Sequence, residues 1–182
     1  MTFRRASILL ALLTMLSPAA ERPLNVVLIM ADDVGQECFG AYGSKQYSTP
    51  VLDQMADTGI QFTHAYSTPL CTPTRVALMT GKSNVRNYAD FGALLPDQYT
   101  FAQLFREAGY ATAFVGKWHM KNVADPRPGF DYWLSFVGQG DYINPKLNEN
   151  GRAFQATGYM TDLLTQYAVD FLKKPREKPF SL

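Results

Sequence analysis

The sequence predicts an α/β domain with a largely parallel sheet flanked by helices. Three observations lead to this prediction: a continuous aliphatic run at residues 24–33, several helix patterns with clear start and stop residues, and strand-like segments between them. Strands that alternate with amphipathic helices are typical of sheets built from βαβ units. With 182 residues, of which 47% are hydrophobic, the chain is long enough to bury a sizeable core.

The first element is the run "LNVVLIMADD" at residues 24–33. Its β-branched and aliphatic residues predict a buried strand, and Asp32 and Asp33 follow at its C-terminal end. Functional groups in parallel sheets gather at the C-terminal ends of the strands. We therefore expect both carboxylates to lie in a functional site.

Two short helices come next, in "STPVLDQMADTG" and "CTPTRVALMTG". Thr49 and Gly59 are typical cap and stop residues for the first helix. In the second, Thr72 is the expected N-cap and Gly81 the stop. This assignment puts Cys71 just before a helix N-terminus, where backbone N–H groups favour anions.

The stretch "YTFAQLFREAGYATAFVGKWH" predicts a helix followed by a strand. Thr100 and Gln103 match a capping box. The strand is expected over residues 110–115, and Lys117 and His119 lie just beyond its end. These two side chains should share the sheet edge that carries the first pair of carboxylates.

The remaining segments complete the pattern. Residues 122–151, rich in glycine, proline, asparagine and aromatics, are interpreted as a long loop. A helix is expected from Thr161, where one stripe of residues is apolar. The final "KPFSL" is typical of a strand that begins there, so we expect the chain to be the front part of a longer protein.

The N-terminus has the pattern of a secretory signal peptide over residues 1–20, ahead of a catalytic region at 21–182. Arg4 and Arg5 precede an apolar run, and cleavage is expected near Ala19 or Ala20. The protein is then exported to the periplasm or the extracellular space. The alternative is an uncleaved amphipathic or anchoring segment, although the run is short for a membrane span.

The charge pattern excludes some partners. Seventeen Lys and Arg residues balance sixteen Asp and Glu residues, for a formal net charge of +1. No basic patch for nucleic acid or an anionic membrane is indicated. We expect no nucleic-acid partner and no stable membrane span.

The two cysteines, Cys38 and Cys71, allow a disulfide in an oxidising compartment. The neighbours of Cys71 argue against this pairing, because Pro69, Pro73 and Arg75 form a more specific local pattern than a disulfide requires. We therefore expect a chemical role for Cys71 and a packing role for Cys38.

The residues "CTPTR" match the pattern C-x-P-x-R, with "ADD" before them and "GKWH" after them. With these three motifs in this order, the chain resembles the type I, formylglycine-dependent sulfatases of the alkaline-phosphatase-like superfamily. The resemblance runs from about Asn25 to the end of the chain. It implies a sulfatase-like α/β fold that is truncated at its C-terminus.

The resemblance implies that Cys71 is oxidised to Cα-formylglycine (3-oxoalanine) by a formylglycine-generating enzyme. One hydroxyl of the hydrated aldehyde attacks the sulfur of a sulfate ester, and the other helps to expel sulfate. The implied catalytic residues also include Arg75, which supports the formylglycine, Lys117, which contacts sulfate, and His119, which hydrogen-bonds the formylglycine.

The resemblance also implies a metal site. Asp32, Asp33 and residue 71 would bind calcium, in preference to magnesium, together with an Asp/Asn pair further along the chain. Adjacent carboxylates suit such a hard cation. Since the later ligands are not among residues 1–182, this chain alone is expected to be inactive.

The implied function is hydrolysis of sulfate esters, arylsulfatase-like, on a sulfated carbohydrate or other small molecule. The alternatives are a phosphatase or phosphodiesterase of the same superfamily, or a non-catalytic secreted fragment. His64 is interpreted as structural. Trp118 and Trp133 are interpreted either as aromatics of the substrate cleft or as packing residues.

Overall fold

The structure is a computed structural model that describes residues 23–87, 90, 92–121 and 123–182. The predicted signal peptide at residues 1–20 lies outside the described residues. Five α-helices are described: α1 (Pro50–Thr58), α2 (Cys71–Thr80), α3 (Asn84–Asn87), α4 (Phe101–Glu107) and α5 (Met160–Lys173). Five strands accompany them: β1 (Ala111–Val115), β2 (Tyr132–Ser135), β3 (Lys146–Glu149), β4 (Arg152–Gln155) and β5 (Phe180–Ser181).

The strands form one sheet in the order β4-β3-β2-β1-β5. Strand β1 pairs in parallel with both β2 and β5. The pairs β2/β3 and β3/β4 are antiparallel. The predicted α/β class with flanking helices is confirmed, and the sheet is mixed, with its parallel part around β1.

The antiparallel part of the sheet comes from a segment that the sequence pattern assigned wrongly. Residues 122–151 were expected to form a long loop, yet they contain β2 and β3. Strands β3 and β4 join through Asn150 and Gly151, whose φ angles are 50° and 91°. Asn-Gly with two positive φ angles is the favoured two-residue hairpin turn. The dipeptide marks a turn between two strands here, and not one long loop.

The predicted first strand at residues 24–33 is also wrong. Its only bridge in the described structure joins Val26 to Ser181 in parallel. Leu24 and Ile29 are 82% and 79% exposed, so the stretch is not buried. Among the described residues it runs beside β5, a strand of two residues, which offers few ladder hydrogen bonds. It nevertheless leads Asp32 to the edge of the parallel sheet.

The helices agree with the sequence pattern except at one cap. Helix α1 has Thr49 as its N-cap and ends at Gly59, and α4 has the predicted capping box, in which the Thr100 N–H donates to Gln103 Oε1 at 3.0 Å. Helix α2 begins at Cys71 itself, with Leu70 as N-cap. The expected capping role of Thr72 was therefore wrong. Its hydroxyl contacts another loop.

The core beneath the parallel strands is aromatic. Trp118 and Trp133 are each 1% exposed, and Phe114 stacks on Trp133 with ring centroids 4.8 Å apart. Val76 and Met79 of α2 pack into the same cluster. Both tryptophans are thus packing residues, and they fix α2 against the loop after β1.

None of the described helices is long and apolar enough to cross a membrane.

Candidate active site

The predicted site residues come from three separate parts of the chain. Cys71 and Arg75 lie on the first turns of α2, Lys117 and His119 lie on the loop after β1, and Asp32 follows the stretch beside β5. In the loop after β1 burial alternates, because Trp118 and Met120 enter the core. This alternation leaves the side chains of residues 117 and 119 for the site.

Cys71 and His119 are in direct contact. The thiol Sγ lies 3.0 Å from His119 Nδ1, and the Thr72 hydroxyl donates to the His119 carbonyl at 2.8 Å. The backbone of His119 has a φ of 47°, a conformation that non-glycine residues rarely adopt. The hydroxyl contact and the buried Trp118 hold this conformation in place, so the imidazole is fixed against the N-terminus of α2.

Two cations converge on Asp32. Lys117 Nζ lies 2.6 Å and an Arg75 guanidinium nitrogen 3.1 Å from the same carboxylate oxygen. Their side chains are 13% and 8% exposed, against 32% for Asp32. Arg75 also donates to the Lys117 carbonyl oxygen. The arginine therefore ties α2 to the loop after β1 and to the first carboxylate.

The electrostatics of the cluster shift two pKa values. Burial alone would raise the pKa of Asp32, but the hydrogen bond to Lys117 and the charges of Lys117 and Arg75 outweigh it and lower that pKa. Burial lowers the pKa of His119, and the same two cations add to this effect against the opposing charge of Asp32. At neutral pH the site thus holds an ionised carboxylate and an uncharged imidazole.

A cleft of about 380 Å³ opens beside these groups. We call this space the active-site cleft, and it is lined by Leu70, Cys71, Thr72, Pro73, Asp90, Gly92, Ala93, His119 and Lys121. This volume lies in the range of small-molecule sites. Cys71 and His119 therefore face a space that a small ligand can enter.

Sequence reasoning missed several contributors to the site. Gln139 accepts a hydrogen bond from Lys117 Nζ at 2.5 Å, and Thr72 orients His119. Asp90 and Lys121 line the active-site cleft. Gln139 lies between two glycines with positive φ, which was the available signal of a tight loop. No sequence signal marked Asp90.

The remaining candidates lie apart from the cluster. His64 is exposed and contacts the Thr63 hydroxyl at 3.0 Å through Nδ1. It is not among the residues of the active-site cleft. Cys38 and Cys71 are both free thiols, so the disulfide alternative does not hold in this structure.

Comparison with known proteins identifies the group to which this geometry belongs. The sulfatase family model matches residues 24–182. The chain belongs to the sulfatase family. The resemblance drawn from the three motifs is thus confirmed over most of the chain.

Individual sulfatases show the same relationship. An N-acetylglucosamine-6-O-sulfatase of Bacteroides thetaiotaomicron is 37% identical over 169 residues, which cover 89% of this chain and 30% of that protein. The N-acetylgalactosamine-6-sulfatase of Rattus norvegicus is 33% identical over 214 aligned positions, covering 95% of this chain and 41% of the relative. The chain therefore spans less than half of the length of each of these relatives, 30% of the first and 41% of the second.

Solved structures agree with this family assignment. A protein in complex with its substrate D-glucosamine-2-N,6-O-disulfate superposes with a TM-score of 0.80 and 36% sequence identity, covering 88% of this chain and 33% of that one. A phosphonate monoester hydrolase of Agrobacterium radiobacter shares the fold, with a TM-score of 0.64 and 19% identity. The latter likeness concerns the fold alone.

Calcium is the metal that the family resemblance implies, and the chain offers part of a site for it. Asp32 and Asp33 are adjacent carboxylates, which are the hard oxygen ligands that calcium prefers. Within the described residues, however, no group of three or more His, Cys, Asp or Glu side chains is arranged to hold a metal. The predicted set of Asp32, Asp33 and residue 71 stays a prediction, because it names the modified residue as ligand and not the thiol, which contacts His119. The carboxylate pair alone fits the ion.

Proposed function

We propose that the whole protein hydrolyses sulfate esters of carbohydrates. One observation carries this proposal: the Cys71 thiol meets the His119 imidazole at 3.0 Å, next to the two cations that converge on Asp32. Transfer of an anionic group requires a nucleophile position, a neutral base and a pair of cations. Membership of the sulfatase family supports sulfate as that group.

Cys71 is, in this proposal, converted to Cα-formylglycine by a formylglycine-generating enzyme. The C-x-P-x-R pattern at residues 71–75 supports this step. When hydrated, the aldehyde supplies one hydroxyl for attack on sulfur and a second that helps to release sulfate. The modification is in the side chain of residue 71, the first residue of α2. The aldehyde group would therefore lie where the thiol now contacts His119.

His119 supplies a fixed acceptor in this proposal. Its lowered pKa keeps the imidazole uncharged at neutral pH, so Nδ1 can accept a hydrogen bond from a hydroxyl on residue 71. The Thr72 hydroxyl fixes the backbone of His119 at 2.8 Å. The ring therefore does not have to reorient when a substrate arrives.

Lys117 is the group that contacts sulfate, and Arg75 beside it supports the modified residue 71. Both are mostly buried, so their attraction for an anion is screened less than it would be on the surface. Asp32 holds both cations in position and compensates part of their charge. Calcium held by Asp32 and Asp33 would add a Lewis acid that polarises a sulfate oxygen.

An amino sugar with a 6-sulfate is the substrate class that the comparisons favour. The two relatives described above are 6-sulfatases of N-acetylglucosamine and N-acetylgalactosamine, and the superposed structure holds a 6-O-sulfated glucosamine. An active-site cleft of about 380 Å³ suits a single sugar ring. We propose that this enzyme removes sulfate from such a sugar.

Export completes the proposal. Residues 1–20 would be removed as a signal peptide, and residues 21–182 would form the N-terminal part of the catalytic domain. The mature enzyme would act in the periplasm or outside the cell. This part of the proposal depends on the N-terminal sequence pattern alone.

The test is to express the whole protein with and without a formylglycine-generating enzyme. Mass spectrometry of the peptide that contains residue 71 should find the aldehyde only in the first case. Turnover of 4-nitrocatechol sulfate should appear with it, while Cys71→Ala is inactive and 4-nitrophenyl phosphate is a poor substrate. A modified protein that cleaves the phosphate and not the sulfate would overturn the proposal in favour of a phosphatase.

A further inference from the structure

The active-site cleft carries two charged side chains that the proposed reaction does not use, Asp90 and Lys121. Lys117 and Arg75 are both bound to Asp32, whereas the described residues contain no ion pair that involves Lys121. Lys121 is also exposed. The cleft thus has a lysine that forms no ion pair with a described carboxylate.

The backbone of Lys121 is unusual for a lysine. Its φ angle is 90°, in the left-handed region where glycine is strongly favoured. Its N–H donates to the Gly92 carbonyl at 2.5 Å, and its own carbonyl accepts from Val123 at 2.9 Å. Glycine would adopt this conformation at a lower cost, so backbone geometry does not explain a lysine here. Such a residue at the edge of an active site points to a functional role.

We propose that Lys121 determines specificity by binding a second anionic group, a sulfate or a carboxylate, on the sugar that carries the scissile ester. The inference rests on the proposed sulfatase function and names the substrate class more closely. Lys117 serves the ester's own sulfate and Arg75 supports residue 71, so another anion on the same sugar needs a different cation. Lys121 is the cation among the residues that line the cleft.

The position of Lys121 in the chain supports its proposed binding to a second anionic group on the sugar. It follows His119 by two residues, so its Cα lies within about 7 Å of the His119 Cα. Both residues line the same cleft. A sugar whose ester sulfate meets residue 71 and His119 therefore has its neighbouring ring positions within reach of the Lys121 ammonium group.

The experiment compares two substrates with the whole, matured protein: glucosamine 6-sulfate and glucosamine 2-N,6-O-disulfate. The readout is the ratio of their kcat/KM values. Lys121→Gln should lower the ratio for the disulfate over the monosulfate by about 2- to 5-fold, the effect of one exposed charge pair. Lys121→Gly, which also relieves the backbone, should give the same loss, and Lys121→Arg should keep the ratio.

Two controls separate this role from others. Lys82 lies past the opposite end of α2 and bonds to Gln98, so Lys82→Gln should keep the wild-type ratio. If Lys121 served only to balance Asp90, its effect on the ratio would disappear in an Asp90→Asn background. We expect the effect to persist there, and its disappearance would overturn the inference.

The remaining outcomes are distinct. The wild-type protein could cleave 4-nitrocatechol sulfate while the Lys121→Gln variant has the same ratio of kcat/KM values as the wild type. That result would overturn this inference and leave the proposed function standing. A modified wild-type protein that cleaves no sulfate ester would overturn both.

Discussion

The thiol of Cys71 lies 3.0 Å from Nδ1 of His119, although 48 positions separate the two residues in the chain. Neither local segment produces this contact alone. Trp118 is buried in the core cluster that also contains Val76 of α2, and Thr72 bonds the His119 carbonyl. The core therefore sets the distance between the helix and the loop.

Replacing His119 should damage catalysis more than folding. His119→Ala removes the acceptor beside residue 71, and kcat for 4-nitrocatechol sulfate should fall by about 10²- to 10⁴-fold, as for other general acid–base residues. His64→Ala is the matched control, because that histidine is exposed and hydrogen-bonds only to Thr63 among the described residues. Equal activity in the two variants would rule out a role for His119 in the reaction.

Removing Arg75 should lower stability as well as activity. Arg75→Met leaves the Lys117 carbonyl and part of Asp32 without a partner in a mostly buried position. We expect the free energy of unfolding to fall by about 1–3 kcal/mol. Thermal unfolding of the unmodified protein measures this separately from catalysis.

The control for Arg75 is an exposed ion pair. Arg106 and Asp131 are 3.2 Å apart, with side chains 58% and 43% exposed. Arg106→Met should therefore change the free energy of unfolding by less than about 1 kcal/mol. If both arginine variants unfold at the same temperature, Arg75 does not have the structural role described here.

The grouping of the candidate site residues was more predictable than the strands that carry them. The order of the motifs identified Cys71, Arg75, Lys117 and His119, and the structure brings these residues together. Helix boundaries followed from caps and glycine stops, because such signals are local. The pairing of Lys117 with Gln139 depends on a loop 22 residues away, and nothing local in the sequence indicates it.

The strand predictions failed for a different reason. Residues 24–33 are as aliphatic as a buried strand, but burial depends on what packs against them, and Ile29 is 79% exposed in this structure. The stretch at 122–151 contains many loop-forming residues, which concealed β2 and β3. Composition averages over a segment, whereas a hairpin is defined by two positions, Asn150 and Gly151.

Tyr132 gives a pH-dependent contribution to stability. Its hydroxyl donates to Glu149 Oε1 at 2.8 Å, and burial together with that carboxylate raises its pKa above the usual value of about 10. The folded protein then keeps this proton where the unfolded chain loses it. The stabilisation is complete below pH 10 and decreases as the pH rises towards the pKa of the folded state.

Tyr132→Phe tests this contribution. At pH 8 the variant should be less stable than the wild type by about 1–2 kcal/mol, because one hydrogen bond to a charged group is lost. The difference should shrink between pH 9 and pH 11 in urea denaturation. The 89% exposed Tyr66 is the control, since Tyr66→Phe should not change stability at pH 8. A difference that grows with pH would contradict the assigned direction of the pKa shift.

The carboxylate pair should determine metal binding, and Asp33 gives the cleaner test. Asp32→Asn also breaks the contacts with Lys117 and Arg75, so it changes the metal site and the cation pair together. Among the described residues Asp33 makes no ion pair, and its φ of 59° holds it in a turn after Asp32. Asparagine tolerates that conformation, so Asp33→Asn removes one charged oxygen ligand with little effect on the fold.

We expect Asp33→Asn to lose most of the calcium that the whole protein retains after dialysis, because calcium affinity depends on the number of charged ligands. Activity on 4-nitrocatechol sulfate should fall in parallel and recover partly at millimolar calcium. Asp57→Asn, on the exposed part of α1, is the control and should keep both calcium and activity. Metal content is measured by atomic emission, apart from the assay. Full calcium content in Asp33→Asn would mean that the ion binds elsewhere, with Asp32 serving only to hold Lys117 and Arg75 in place.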